Sequence, residues 1–348
     1  MKKHKIGIIG GSGFIGSALA EYLKKSFRVK VLDKKYPPKN LEGKVEFEEC
    51  DIRRYNEVKQ VLNDVDLVIH AAIVQIPLIN EEKKLGYEVN VKGTQNVCEV
   101  VESNPSIKGL LVAGSWHVFG ERGLTGLIDE KFGFQPDKVE DRARLYALCK
   151  IAQETIVRLY DEMSEKTYGI IRMGTVLGEV MPEKTAANIF ISRGLRGESI
   201  TPYKNSMHRP MLYVDLNDVC KAYGSYAKKI LNCEIGNAGS SLAHIVNLCW
   251  PEPVTVLELA TLVKDLIVKY SKGRLKPKIE IIDAGKPSPF KVEDKKLMKV
   301  DAAKMSKFLG LNDLTSPKES VERIIRARLA KCQVDHIIKG STRTCAES

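Results

Sequence analysis

Ile6-Gly7-Ile8-Ile9-Gly10-Gly11-Ser12-Gly13-Phe14-Ile15-Gly16 decides the fold. Ile6 to Ile9 reads as a buried strand, and apolar positions recur with helical spacing from Phe14 to Lys25. The turn between them satisfies both G-x-G-x-x-G and G-x-x-G-x-x-G. Gly10 and Gly13 let the backbone turn tightly and come close to a pyrophosphate, and Gly16 lets the helix pack closely. The N-terminus of the helix, at Phe14 and Ile15, then offers free N–H groups and a partial positive charge. Taken alone, such a turn is common. Its position, leaving a strand and opening a helix, predicts a dinucleotide site.

Working outward, Phe27, Val29 and Val31 alternate with Arg28 and Lys30, as in a strand with one wetter face. That strand ends at Asp33, where a carboxylate grips a ribose diol. A carboxylate there repels a 2′-phosphate, so the expected cofactor is NAD. Lys34 and Lys35 pull toward NADP. Short strands follow at Val45–Phe47, Leu67–Ile69 and Gly109–Ala113, with helices at Val58–Leu62 and Thr94–Glu102 between them. This alternation predicts a Rossmann-type, doubly wound parallel α/β sheet. Asp51-Ile52 follows the third strand and Ala71-Ala72 the fourth; small residues there leave room for a flat cofactor.

Tyr146 and Lys150 form Y-x-x-x-K, which places both side chains on one helix face. A neighbouring ammonium favours the phenolate, so Tyr146 is expected to have a lowered pKa and to exchange a proton with a substrate hydroxyl. Ser115, just past the fifth strand, is placed to polarise the same oxygen. The pair alone is a common helical coincidence. Gly-rich turn, Asp33, Ser115 and Tyr146/Lys150 in this order make it a catalytic assignment.

In these features the chain resembles the extended short-chain dehydrogenase/reductases, in particular the NAD-dependent epimerase/dehydratase family, over about residues 5 to 330. Val89-Asn90-Val91-Lys92-Gly93-Thr94 resembles the family's N-V-x-G-T helix. Arg172 to Gly178 resembles its R-x-x-N-x-x-G, and Arg209 to Asp215 its R-x-x-x-x-V-D. The resemblance implies that Phe14, Ile15, Asp33, Asp51, Ile52, Ala71, Asn90, Tyr146 and Lys150 line NAD. It implies that Arg209 reaches a substrate phosphate, and that the helices near 94–102 and 146–163 pair two copies into a homodimer.

The departures narrow the chemistry. Relatives that dehydrate place Asp-Glu directly after the catalytic hydroxyl residue, and the decarboxylating branch keeps the Glu. Here stand Trp116 and His117. Thr175 replaces an Asn that often contacts the sugar-nucleotide phosphate. Ser115-Trp116-His117 faintly resembles the S-N-H of uronate dehydrogenases. His117, Thr175 and Arg209 are the expected substrate contacts. The leading expectation is an NAD-dependent sugar-nucleotide epimerase. The alternatives are a sugar, uronate or other alcohol dehydrogenase/reductase, and a non-catalytic dinucleotide-binding regulator, against which both Tyr146 and Lys150 are present.

Bulk properties set outer bounds. A chain of 348 residues can bury a full core. The expected division is a dinucleotide-binding domain over 1–174, a mainly substrate-binding region over 175–331 with segments returning to the core, and a polar tail over 332–348. Thr255 to Glu258 has capping-box spacing and opens a helix to about Lys269. Lys278 to Ile282 reads as a strand, and Asp301–Leu309 and Pro317–Leu329 as closing helices. The net charge of +11 comes from dispersed lysines without interleaved aromatics, so no nucleic acid is expected. Eight scattered cysteines without C-x-x-C, and six histidines without metal spacing, predict free thiols and no metal. No apolar run is long enough for a bilayer, and no cleavage site follows the charged N-terminus, which points to the cytoplasm.

Overall fold

The computed structural model describes residues 3–236 and 239–339, with side chains described as far as Lys331. Seven parallel strands form the central sheet: β1 (Lys5–Ile9), β2 (Arg28–Asp33), β3 (Glu46–Glu49), β4 (Leu67–His70), β5 (Gly109–Ser115), β6 (Thr167–Met173) and β7 (Ile245–Leu248). Their spatial order is β3-β2-β1-β4-β5-β6-β7. The order reverses between β1 and β4, and a crevice at such a switch point is where ligands bind in open α/β sheets.

The helices needed below are α1 (Phe14–Leu23), α2 (Tyr55–Val61), α3 (Thr94–Ser103), α4 (Asp141–Met163), α5 (Ala186–Leu195), α6 (Leu216–Leu231), α7 (Val256–Tyr270) and α8 (Pro317–Lys339). Ile6, Ile8, Val31, Leu67, Ile69 and Leu111 bury one sheet face under α1 and α6. Ile9, Leu32, Val68, Leu110 and Ile170 bury the other under α2, α3 and Val157 of α4. Strands buried on both faces need continuous apolar runs, and β1 and β4 have them. A further apolar cluster joins Trp116 and Phe119 to α5, α7 and the start of α8.

The capping box at Thr255 and Glu258 is present, and α7 follows it. α4 begins at Asp141, so Tyr146 lies inside the helix rather than at its start. Glu140 is extended there (φ −57°, ψ 140°) and Asp141 supplies a negative charge in the first turn, which the helix dipole favours. The expected strand at Lys278–Ile282 is not formed. Residues 200–204 run parallel to it and exchange backbone hydrogen bonds with it, but Pro202 has no N–H to donate, so the ladder breaks into isolated bridges at Ile279–Ile200 and Ile282–Tyr203. α8 extends to Lys339, beyond the expected start of the tail; residues 340–348 lie outside the described residues. Among the described residues, no helix is long and apolar enough to cross a membrane, and no cluster could hold a metal ion.

Candidate active site

The Gly-rich turn is held by contact. Gly10 has φ +75°, and a Cβ on it would lie 2.5 Å from the Ala72 nitrogen. A Cβ on Gly16 would lie 2.1 Å from the Gly10 carbonyl oxygen. Gly13 is different: its Cβ would meet only the Gly10 carbonyl oxygen at 3.3 Å, so the turn stays open there. No side chain caps the N-terminus of α1. Its first N–H groups have no partner within the helix.

Asp33 closes the other side. Its carboxylate accepts the Ser12 and Lys35 backbone N–H groups, each at 3.1 Å. The acidic residue is thus fixed against the turn itself. Asp51 is gripped by Arg53 through Nε and Nη2, with Lys34 Nζ 3.3 Å away, and Arg53 holds its carboxyl well below the usual carboxylate range. Lys34 is therefore drawn to Asp51. Ala71 and Ala72 follow β4 and are half-buried beside Gly10. An uncapped helix end, an open glycine turn and a fixed carboxylate at the end of β2 fit a dinucleotide.

Two expected cofactor contacts also serve the scaffold. Asn90 is completely buried and exchanges two hydrogen bonds with the Val74 backbone, at 2.7 and 3.0 Å. It sits in a π-helical turn over Glu88–Gly93, a local widening that lets its amide reach that loop. Ile52 packs in the core, where a Cβ on Gly93 would meet its side chain at 2.6 Å.

The catalytic candidates meet at the carboxyl end of β5. Ser115 is its last residue and is buried. It stands beside the Tyr146 hydroxyl, where it works to lower the tyrosine pKa. Burial of that hydroxyl outweighs it and pushes Tyr146 up to about 12. The expected lowering of Tyr146 by an ammonium is therefore not found. Lys150 Nζ lies 5.9 Å from the Tyr146 ring centroid and donates to the Ala113 carbonyl at 2.7 Å. Burial drives its own pKa down to about 7. The low-dielectric site opposes charge on both partners, and no full ion pair compensates.

Behind this pair, His70 Nε2 lies 3.0 Å from Thr94 Oγ1, which also accepts from Gln153. Cys149 is buried against Val74, Ile79 and Tyr146.

The expected substrate residues divide. His117 packs edge-on against Tyr146, with centroids 5.5 Å apart, and its Nδ1 lies 3.2 Å from Ser115 Oγ. Thr175 accepts a hydrogen bond from the Trp116 indole at 3.3 Å. Arg209 is buried and paired with Glu140, with Glu121 Oε1 3.9 Å away. Its charge is met by protein carboxylates. Glu121 and Glu140 were not singled out by sequence reasoning. Glu121 stands four residues beyond His117, and only the reversal at Gly120 (φ +87°) turns it back. Spacing carries no sign of that turn except the glycine.

Comparison with known proteins agrees with the fold. A model of the NAD dependent epimerase/dehydratase family matches residues 6–239. A protein of Methanocaldococcus jannaschii called "Putative UDP-glucose 4-epimerase" is 30% identical over 225 residues, covering 62% of this chain and 70% of that protein. The UDP-N-acetyl-alpha-D-glucosaminuronate decarboxylase of Bacillus cytotoxicus is 28% identical over 261 residues, covering 69% and 76%. The solved UDP-glucose 4-epimerase of Thermus thermophilus, a complex with NAD, superposes with a TM-score of 0.69 at 21% identity, covering 93% of this chain and 99% of that one.

Proposed function

This chain belongs to the NAD dependent epimerase/dehydratase family, and on that premise we propose that it is a nucleotide-sugar epimerase working by reversible hydride transfer, with Tyr146 as acid/base. The enzyme is NAD-dependent, of the extended short-chain dehydrogenase/reductase class. The observation that carries the proposal is the meeting of Ser115, Tyr146 and Lys150 at the end of β5. The first two relatives named above carry UDP-sugar activities in their names, which supports a nucleotide-sugar substrate here.

NAD, when bound, supplies a hydride acceptor and, in reverse, a donor. Gly10, Gly13, Gly16 and the open end of α1 would hold its pyrophosphate, and Asp33 a ribose diol. Asp51, Ala71 and Ala72 would line its remainder. Tyr146 moves the substrate proton at its phenol oxygen, Ser115 orients that oxygen, and Lys150 holds the neighbouring ribose. His117 and Thr175 would face the sugar. The region from residue 175 to 331 would close over the substrate. Arg209, neutralised by Glu140, is poorly placed to attract a phosphate.

Tyr146→Phe tests the assignment. NAD retained after purification should stay near the wild-type level, while turnover of UDP-glucose or UDP-glucuronate falls by about 10²–10⁴-fold. Near-normal turnover removes Tyr146 from the mechanism.

His117, hydrogen-bonded to Ser115, favours one second reading: a sugar or uronate dehydrogenase, in which the site must export a proton. Stoichiometric accumulation of NADH during turnover would decide for it. We also propose a homodimer, with a second copy on the exposed face of α4, where Leu148, Leu159 and Met163 are 46%, 56% and 77% exposed.

A further inference from the structure

We propose that Ser115, His117 and Glu121 form a proton relay beside Tyr146, in which His117 receives the proton and Glu121 fixes its tautomer. The inference rests on the assignment of Tyr146 as the group facing the substrate hydroxyl.

The geometry runs in one line. The Tyr146 hydroxyl lies close enough to Ser115 for the serine to work on its pKa, and the His117 ring packs edge-on against the Tyr146 ring with centroids 5.5 Å apart. Ser115 Oγ lies 3.2 Å from His117 Nδ1. His117 Nε2 lies 3.5 Å from Glu121 Oε1. Glu121 is completely buried, and its Oε1 has no hydrogen-bond partner of ordinary length. Its other oxygen is fixed by the Glu140 backbone N–H at 2.7 Å. The carboxylate is therefore aimed at the imidazole by the backbone.

A carboxylate only accepts, so the neutral imidazole carries its proton on Nε2. Nδ1 is then bare and faces the Ser115 hydroxyl. This is the same division of labour as in a Ser-His-acid triad, where the acid holds the tautomer and steadies the imidazolium. Here the serine passes a proton on instead of attacking a substrate.

The step balances. The substrate O–H bond breaks as its C–H electron pair leaves as hydride. That proton forms a new O–H bond at Tyr146. The proton Tyr146 already held passes to Ser115 Oγ, and that of Ser115 to His117 Nδ1. The imidazolium so formed draws Nε2–H onto Glu121 and shortens the long contact between them. All protons return by the same path when hydride returns to the sugar.

The relay explains two other observations. Tyr146, pushed up to about 12, holds its proton; with a relay it need not be ionised beforehand. His117 is lowered to about 4, chiefly by burial, so it is neutral at pH 7, and it holds the relayed proton only while hydride is away from the sugar. The groups facing it are Glu121, which raises it, and Arg209 and Arg142, which lower it. Glu140 meets both arginines.

The test uses the NAD-loaded full chain. Nitrogen-15 NMR of labelled histidines, with His117 assigned by loss of its signals in H117N, should show the Nε2–H tautomer in the wild type. Glu121→Gln keeps the shape but offers an amide donor to Nε2. It should switch His117 to Nδ1–H and lower kcat on UDP-glucose or UDP-glucuronate by about 10–100-fold, with KM and retained NAD within about two-fold. Glu121→Asp should restore the Nε2–H tautomer. An Nδ1–H tautomer in the wild type overturns the relay, even if the variant fails to fold. Full turnover in E121Q overturns it too. Loss in Tyr146→Phe with full turnover in E121Q leaves the assignment of Tyr146 standing and removes only the relay; turnover surviving in Tyr146→Phe removes that assignment.

Discussion

Lys150 sets stability against chemistry within one side chain. Its ammonium is buried, held by the Ala113 carbonyl, and depressed to about 7. The unfolded chain takes up this proton below about 10.5, the folded chain only below about 7. The cost to folding therefore grows as pH falls from 10.5 to 7 and is constant below. Lys150→Met should raise stability at pH 7 by on the order of 2 kcal/mol, after the lost hydrogen bond to Ala113 is counted, and abolish turnover. The gain should shrink toward pH 10. Urea unfolding at pH 7 and pH 10 measures it; a loss of stability at both would mean that the Ala113 bond outweighs the buried charge. The residue scale is also where sequence reading reaches its limit. Tyr146, Lys150 and Ser115 were legible because spacing on one helix and position after one strand imply contact. Glu121 and Glu140 were not, because they reach His117 and Arg209 through loops whose course depends on tertiary packing. Asn90 and Thr175 were legible as motif positions, but their partners, the Val74 backbone and the Trp116 indole, were not.

At the scale of elements, local chemistry was a better guide. The strand–glycine–helix unit at β1 and α1 could be read directly because apolar runs, glycine geometry and helix period agree. The same holds for α7, whose capping box satisfies two donors at its start. Thr255→Ala should cost about 1 kcal/mol by removing the acceptor for Glu258 N–H, read as a shifted urea midpoint with an unchanged slope. An unchanged midpoint would mean that packing of Leu259, Val263 and Ile267 fixes the helix without its cap. The segment at Lys278–Ile282 shows the reverse case. Its alternation suits a strand and residues 200–204 run beside it, but Pro202 there lacks an N–H and only two bridges form. A strand is a property of two segments, and its partner cannot be read from its own residues.

For the whole molecule, strand–helix alternation narrows the sheet to the few doubly wound orders, of which this chain has β3-β2-β1-β4-β5-β6-β7. Assembly is less constrained by pattern, and it makes its own prediction. Leu148 and Leu159 are eleven residues apart, about three helical turns, on the outer side of α4. A charge there meets water in a monomer and an apolar surface in a dimer. Leu159→Glu should halve the mass in sedimentation equilibrium while leaving the circular dichroism spectrum unchanged. Wild-type protein that sediments as a monomer removes the proposed pairing.

Trp116 has a further use. It is buried at the site, its ring centroid 4.6 Å from that of His117, and the chain has two tryptophans in all. Reduced nicotinamide absorbs where indole emits, and imidazolium quenches indole more strongly than imidazole does. The emission of Trp116 thus reports, in a stopped-flow trace, both the redox state beside it and the arrival of a proton. An enzyme that returns its hydride should dim and recover within each turnover, whereas one that keeps it should stay dark.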